Sequence, residues 1–274
     1  MKIYMLILCV MLAAGFTAQA QPQVLSNILQ NVGLDQKLDS QVPLGLRFRN
    51  ETGDSVTLAS YIDGSKPVVI SLVYYECPEL CTEILNGMVM GFRQIPFEIG
   101  KDYAVVTVSI NPGETPDLAR GKKESYLRTF PQSGAAAGWH FLVGDTSQVK
   151  ALAASVGYRY EYDPETGQYA HPSGIIIVTP HGRVARYLYG VEYPNKDLKF
   201  ALTEASENRI GSPVDKILLL CYHYDPATGK YGLAVMNILR AGGIATLVVL
   251  GGIIVSLVRR EKRKRGTAAP ERTA

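Results

Sequence analysis

Cysteine and histidine are scarce in this chain, four of each in 274 residues. An excess of positive charge is missing from most of its length. Residues 3–258 hold twenty Lys/Arg against twenty-three Asp/Glu, and the net charge of +3 comes from Lys2 and the last sixteen residues. A region this mildly acidic has no electrostatic footprint for a phosphate backbone, which argues against nucleic acid as a partner. One cysteine, Cys9, lies in a segment that reads as removable. That leaves Cys77, Cys81 and Cys221. In an oxidising compartment such cysteines are either paired or engaged in chemistry.

Charge is also absent from "AGGIATLVVLGGIIVSLV", residues 241–258, and "RREKRKR" follows at once. Eighteen residues span roughly 27 Å as a helix, enough for a bilayer core. The basic cluster marks the cytoplasmic side. At the other end, Lys2, the apolar run from Ile3 and the small-residue triplet Ala18–Ala20 have the form of a secretory signal. The expected map is therefore a signal peptide over 1–20, an exposed lead-in over 21–45 and a folded domain over 46–210. An extension over 211–233, a transmembrane helix over 234–258 and a cytoplasmic tail over 259–274 complete it.

Between the ends, "PVVISLVYY" and "YAVVTVSI" predict two buried strands, and "WHFLVG" a third. Helices are expected from Glu83 to Phe92, after Thr115 as N-cap with Pro116 at the first position, after Asp145 or Thr146, and over "NKDLKFALTEASEN". "GIIIVTPHGRVARYLYG" predicts a hairpin around Pro-His-Gly. This order implies an α/β fold with a thioredoxin-like central sheet and helices on both faces. An internal echo, "YDPETGQY" at 162–169 and "YDPATGKY" at 224–231, matches at six of eight positions and reads as two hairpin turns.

The candidate site is "YYECPELC". Cys77 ends a strand and Cys81 falls in the first turn of a helix, where positions i and i+4 share a face. The positive end of the helix favours thiolate, so a low-pKa dithiol is expected. A bridge closing so short a loop gains little entropy, which makes an inert disulfide a poor explanation. Redox exchange and metal binding both remain, and a third ligand decides between them. Two thiolates and an imidazole would suit copper. Among the histidines, His181 is expected exposed in its turn and His140 in the core. His171 stands before the strand "GIIIVT", on a loop that a thioredoxin layout brings beside the cysteine corner. Cys221 and His223 share one strand face but lack further ligands.

"CPELC" followed some ninety residues later by a histidine before an apolar strand resembles the SCO/SenC family of copper chaperones for cytochrome c oxidase. "TVSINPGETPDLARGKKESYL" and "WHFLVGDTSQVKALAASVGYRY" share the resemblance, which spans roughly residues 40–205. It implies copper, Cu(I) or Cu(II), held by Cys77, Cys81 and His171. It also implies delivery to the binuclear copper centre of the oxidase subunit, from a domain anchored on the periplasmic face of a bacterial inner membrane. The chain departs from many members at Asn111 and Ala170, where they carry Asp, and Asp or Ser. Many members also have an N-terminal anchor. The rival expectation is a thiol–disulfide oxidoreductase using the Cys77–Cys81 dithiol.

Overall fold

The computed structural model describes residues 31–77, 80–211, 224–225, 230–231 and 233–266. The expected signal peptide, Pro78, Cys221 and His223 lie outside them. The chain divides into two units, Met1–Ser212 and Pro213–Ala274.

In the first unit a five-stranded sheet runs in the order β11-β10-β4-β5-β6. Its strands are β4 (Val68–Val73), β5 (Ala104–Ser109), β6 (Trp139–Leu142), β10 (Gly174–Val178) and β11 (Val184–Tyr189). Strands β4, β5 and β6 are parallel, whereas β10 pairs antiparallel with both β4 and β11. Every residue of β4, β5 and β10 is buried. Burial on both faces is why these strands read as unbroken apolar runs rather than alternating ones. Each buried Val or Ile contributes about 1.5–3 kcal/mol.

Helix α1 (Leu80–Gln94) follows β4, and its buried stripe of Cys81, Ile84, Leu85, Met88, Val89 and Phe92 keeps the helical period. Gly87 on α1 allows a close approach, because a Cβ there would lie 1.7 Å from the Val191 carbonyl oxygen. Helix α2 (Pro116–Thr129) has Thr115 as N-cap, its side chain accepting from the Leu118 amide, and Pro116 at its start. Helix α3 (Ala135–Gly138) is a single turn before β6. Helix α4 (Thr146–Ser155) opens at Asp145, and α5 (Asn195–Ser206) packs on β10 and β11. The β10–β11 turn closes on Gly182 at φ +78° and leaves His181 exposed.

Smaller pairs surround the sheet. β2 (Arg47–Arg49) pairs with β3 (Ser55–Thr57), and β1 (Gly33–Leu34) pairs with β7 (Tyr158–Arg159). The β1 pairing corrects the expectation of an exposed lead-in up to residue 45. Val42 is fully buried, and residues 33–44 are tied down by backbone bonds from Asp35, Asp39 and Val42. Each echo segment carries one antiparallel strand pair. β8 (Glu161–Asp163) pairs with β9 (Gln168–Ala170), and β12 (Tyr224–Asp225) with β13 (Lys230–Tyr231). In backbone register Tyr162 lies opposite Tyr169, and Tyr224 opposite Tyr231.

In the second unit, α6 (Leu233–Gly266) contains a 20-residue stretch, Arg240–Arg259, long and apolar enough to cross a membrane. Leu247, Val248 and Ile254 on it are exposed, so it is not a buried core helix.

Candidate metal centre

The site forms where the sheet topology demands it. The carboxyl ends of parallel strands β4 and β5 share one edge, a usual location for sites in α/β sheets. Because β10 runs antiparallel to β4, with Ile175 opposite Ser71, the start of β10 reaches that same edge. Cys77 follows β4, Cys81 lies in the first turn of α1, and His171 precedes β10. The two sulfurs and an imidazole nitrogen all lie within 4.8 Å of one another, and all three residues are buried. The two cysteines are not joined in a disulfide.

The Cys81 Sγ is 3.1 Å from His171 Nε2. The opposite ring nitrogen, Nδ1, is 3.0 Å from the Pro172 carbonyl oxygen and 3.0 Å from the Tyr158 hydroxyl. A carbonyl cannot donate, so Nδ1 carries the ring proton and Nε2 turns its lone pair to the sulfurs. The Tyr158 hydroxyl donates to the Leu72 carbonyl at 2.8 Å, which leaves its oxygen to accept from Nδ1. Burial keeps this phenol protonated, with its pKa well above the ordinary value. Metal-binding histidines are oriented in this way, by an acceptor on the far nitrogen. Ala170 supplies no carboxylate, and the Tyr158–Pro172 pair takes that place.

Around the sulfurs, the Tyr74 amide donates to Cys81 Sγ at 3.3 Å, and the Cys81 amide to Cys77 Sγ at 3.4 Å. The Tyr74 ring meets the His171 ring edge-on at 5.9 Å. The expected low-pKa dithiol is corrected at Cys81. Burial, reinforced by its contact with Cys77, pushes that thiol strongly up and outweighs the bond from the Tyr74 amide. The helix start does not overcome desolvation. As two soft sulfurs and one imidazole on a common point, the set can hold a soft metal ion.

Among the described residues, the two other histidines stand apart. His140 on β6 lies 3.7 Å from the Glu51 carboxylate and 4.3 Å from the Tyr61 ring. His181 is exposed. The sequence reading missed Tyr158 and also Glu114, which is buried under the Tyr75–Glu76 backbone. Neither carries a local signal, since each acts on residues distant in the chain.

The SCO1/SenC family model matches residues 38–205. Comparison with curated proteins gives no match. Among solved structures, a putative electron transfer protein from Aquifex aeolicus VF5 superposes with a TM-score of 0.54 at 20% identity, covering 62% of this chain and 95% of that one. BsSco, described as a member of the Sco family of cytochrome c oxidase assembly proteins with a disulfide switch, gives 0.50 at 23% identity, covering 64% and 98%. A SCO1/SenC family lipoprotein from Bacillus anthracis str. Ames gives 0.50 at 16% identity, covering 64% and 99%. At these identities the structures share the fold. With the family model matched over more than half its length, the chain belongs to the SCO1/SenC family.

Proposed function

We propose that this protein is a membrane-anchored, extracytoplasmic copper chaperone that delivers copper to the binuclear copper centre of cytochrome c oxidase. The observation that carries the reading is the convergence of Cys77, Cys81 and His171 within 4.8 Å, with the imidazole already turned toward the sulfurs. Family membership and the donor set point to copper as the cargo, since thiolates favour Cu(I) and imidazole makes Cu(II) tolerable. Binding displaces the thiol protons, and release proceeds as acceptor thiolates replace Cys77 and Cys81 one at a time. The proposed map has a signal peptide over 1–20, the copper domain over 46–210 and an anchor over 234–258, with the tail from 259 in the cytoplasm. That places the domain in the periplasm of a bacterial cell. The apolar stretch Arg240–Arg259 supports the anchor.

The two cysteines side by side at one corner, not joined in a disulfide, favour a second reading, a thiol–disulfide oxidoreductase. Cys77 and Cys81 would pass two electrons and two protons to a partner disulfide, leaving two partner thiols and a Cys77–Cys81 disulfide. Exchange requires only the dithiol. Titration of the reduced, detergent-solubilised chain with Cu(I) against a competing chelator separates the two. One tight equivalent, lost in His171→Ala, supports the chaperone. Absence of tight binding in the wild type overturns it in favour of exchange.

A further inference from the structure

We propose that Glu114 is the positioning residue of the metal loop, holding Cys77 in its binding place through the backbone amides of Tyr75 and Glu76. The inference rests on Cys77, Cys81 and His171 being the copper ligands.

The amides of the loop can be followed one by one. Tyr74 N–H points to Cys81 Sγ at 3.3 Å. Tyr75 N–H donates to Glu114 Oε2 at 2.8 Å, and Glu76 N–H donates to Oε1 at 2.9 Å. Cys77 N–H returns to the Tyr74 carbonyl at 3.3 Å and closes a turn. The two middle amides thus share one carboxylate, one oxygen each, and the turn they define sets the direction in which Cys77 leaves the strand. Such charge-assisted pairs are stronger and more directional than neutral ones.

The carboxylate is itself fixed. Ser109 Oγ donates to Oε2 at 2.6 Å, and the Glu114 amide donates to the Asn111 carbonyl at 3.1 Å. Ser109 ends β5, and Thr115 caps the helix that begins one residue later. Glu114 is 7% exposed. It therefore ties the exit of β5 to the exit of β4, where the Ile110 amide already meets the Val73 carbonyl at 2.7 Å. A buried acid has a desolvation cost, and two adjacent amides one residue before a ligand are what offset it. Glutamine offers only one acceptor oxygen there and turns an NH2 toward an N–H. Aspartate keeps both oxygens but is one methylene shorter.

The test uses the full chain, reduced and solubilised, in three forms: wild type, Glu114→Gln and Glu114→Asp. Cu(I) affinity is measured against a competing chelator. Alkylation of Cys77 by iodoacetamide is timed in the metal-free protein, and the unfolding midpoint is recorded beside both. We expect Glu114→Gln to weaken Cu(I) binding by about 10–100-fold and to speed Cys77 alkylation about tenfold. Glu114→Asp should recover part of each. Ser109→Ala, which removes one of the two donors to Oε2, should shift both in the same direction by less, and it serves if Glu114→Gln fails to fold. Wild-type affinity and alkylation rate in Glu114→Gln overturn the inference. So do losses that follow the unfolding midpoint with Asp no better than Gln. If the wild type binds no Cu(I) tightly while Glu114→Gln still exposes Cys77, the clamp stands and the copper reading falls.

Discussion

His140, half-buried, and His171, buried, are both imidazoles at the central sheet, and their neighbours divide them. His140 lies beside the Glu51 carboxylate, which also holds the Lys123 ammonium and accepts the Phe141 amide. Its ring packs on Tyr61. Among the described residues, the partners of His171 are uncharged. Its Nδ1 is committed to Tyr158 and Pro172, and its Nε2 looks at sulfur. An imidazole drawn into a carboxylate–ammonium cluster serves the fold. One whose lone pair is aimed at soft donors by neutral acceptors behind it is set up for a metal.

The comparison breaks most sharply under mutation. His171→Ala should lower Cu(I) affinity by more than ~100-fold, since losing a ligand exceeds losing an outer partner. His140→Ala should leave affinity unchanged and cost about 1–3 kcal/mol of stability, from the carboxylate left short of a partner. Parallel copper titrations and unfolding curves of both variants check this, and a copper defect in His140→Ala would erase the division.

Tyr158→Phe comes next. The ring keeps its place while Nδ1 loses one acceptor and the Leu72 carbonyl its donor. Cu(I) affinity should fall about 10–100-fold, read by the same competition.

The carboxylate side of the comparison is tested by pH. Burial raises the Glu51 carboxyl, but the nearby His140 imidazole and the Lys123 ammonium outweigh it and hold the group at about 2, against 4.5 for the free side chain. Its contribution is therefore fully present above 4.5 and is lost as the pH falls from 4.5 toward 2. About 2 kcal/mol should disappear across that window. Unfolding of the metal-free protein at the two ends measures it, and Glu51→Gln should flatten that part of the slope. The smallest effect belongs to His181→Gln. Being exposed in its turn, it should change neither copper affinity nor unfolding midpoint.

Much of this arrangement is legible in the sequence because it is local. The unbroken apolar run Val68–Val73 has to be buried on both faces. Thr115 and Pro116 mark a helix start by bonds made within three residues. Asp-Pro-x-Thr-Gly makes the β8–β9 turn because Gly167 takes φ +70°. The cysteine spacing names the dithiol by itself. The exposed lead-in and the low-pKa thiol failed for one reason. Both depend on what lies across space: β1 docks on β7, and Cys81 is packed out of water.

The sequence alone therefore determined the strands of the central sheet, the longer helices of the domain, the cysteine pair and a short set of candidate histidines, since these follow from periodicity and spacing along the chain. Only the tertiary structure decided which imidazole meets the sulfurs, that Tyr158 orients it and that Glu114 holds the loop. Those contacts join residues 13 to 90 positions apart. They exist because antiparallel β10 starts, and parallel β5 ends, on the edge where β4 delivers Cys77.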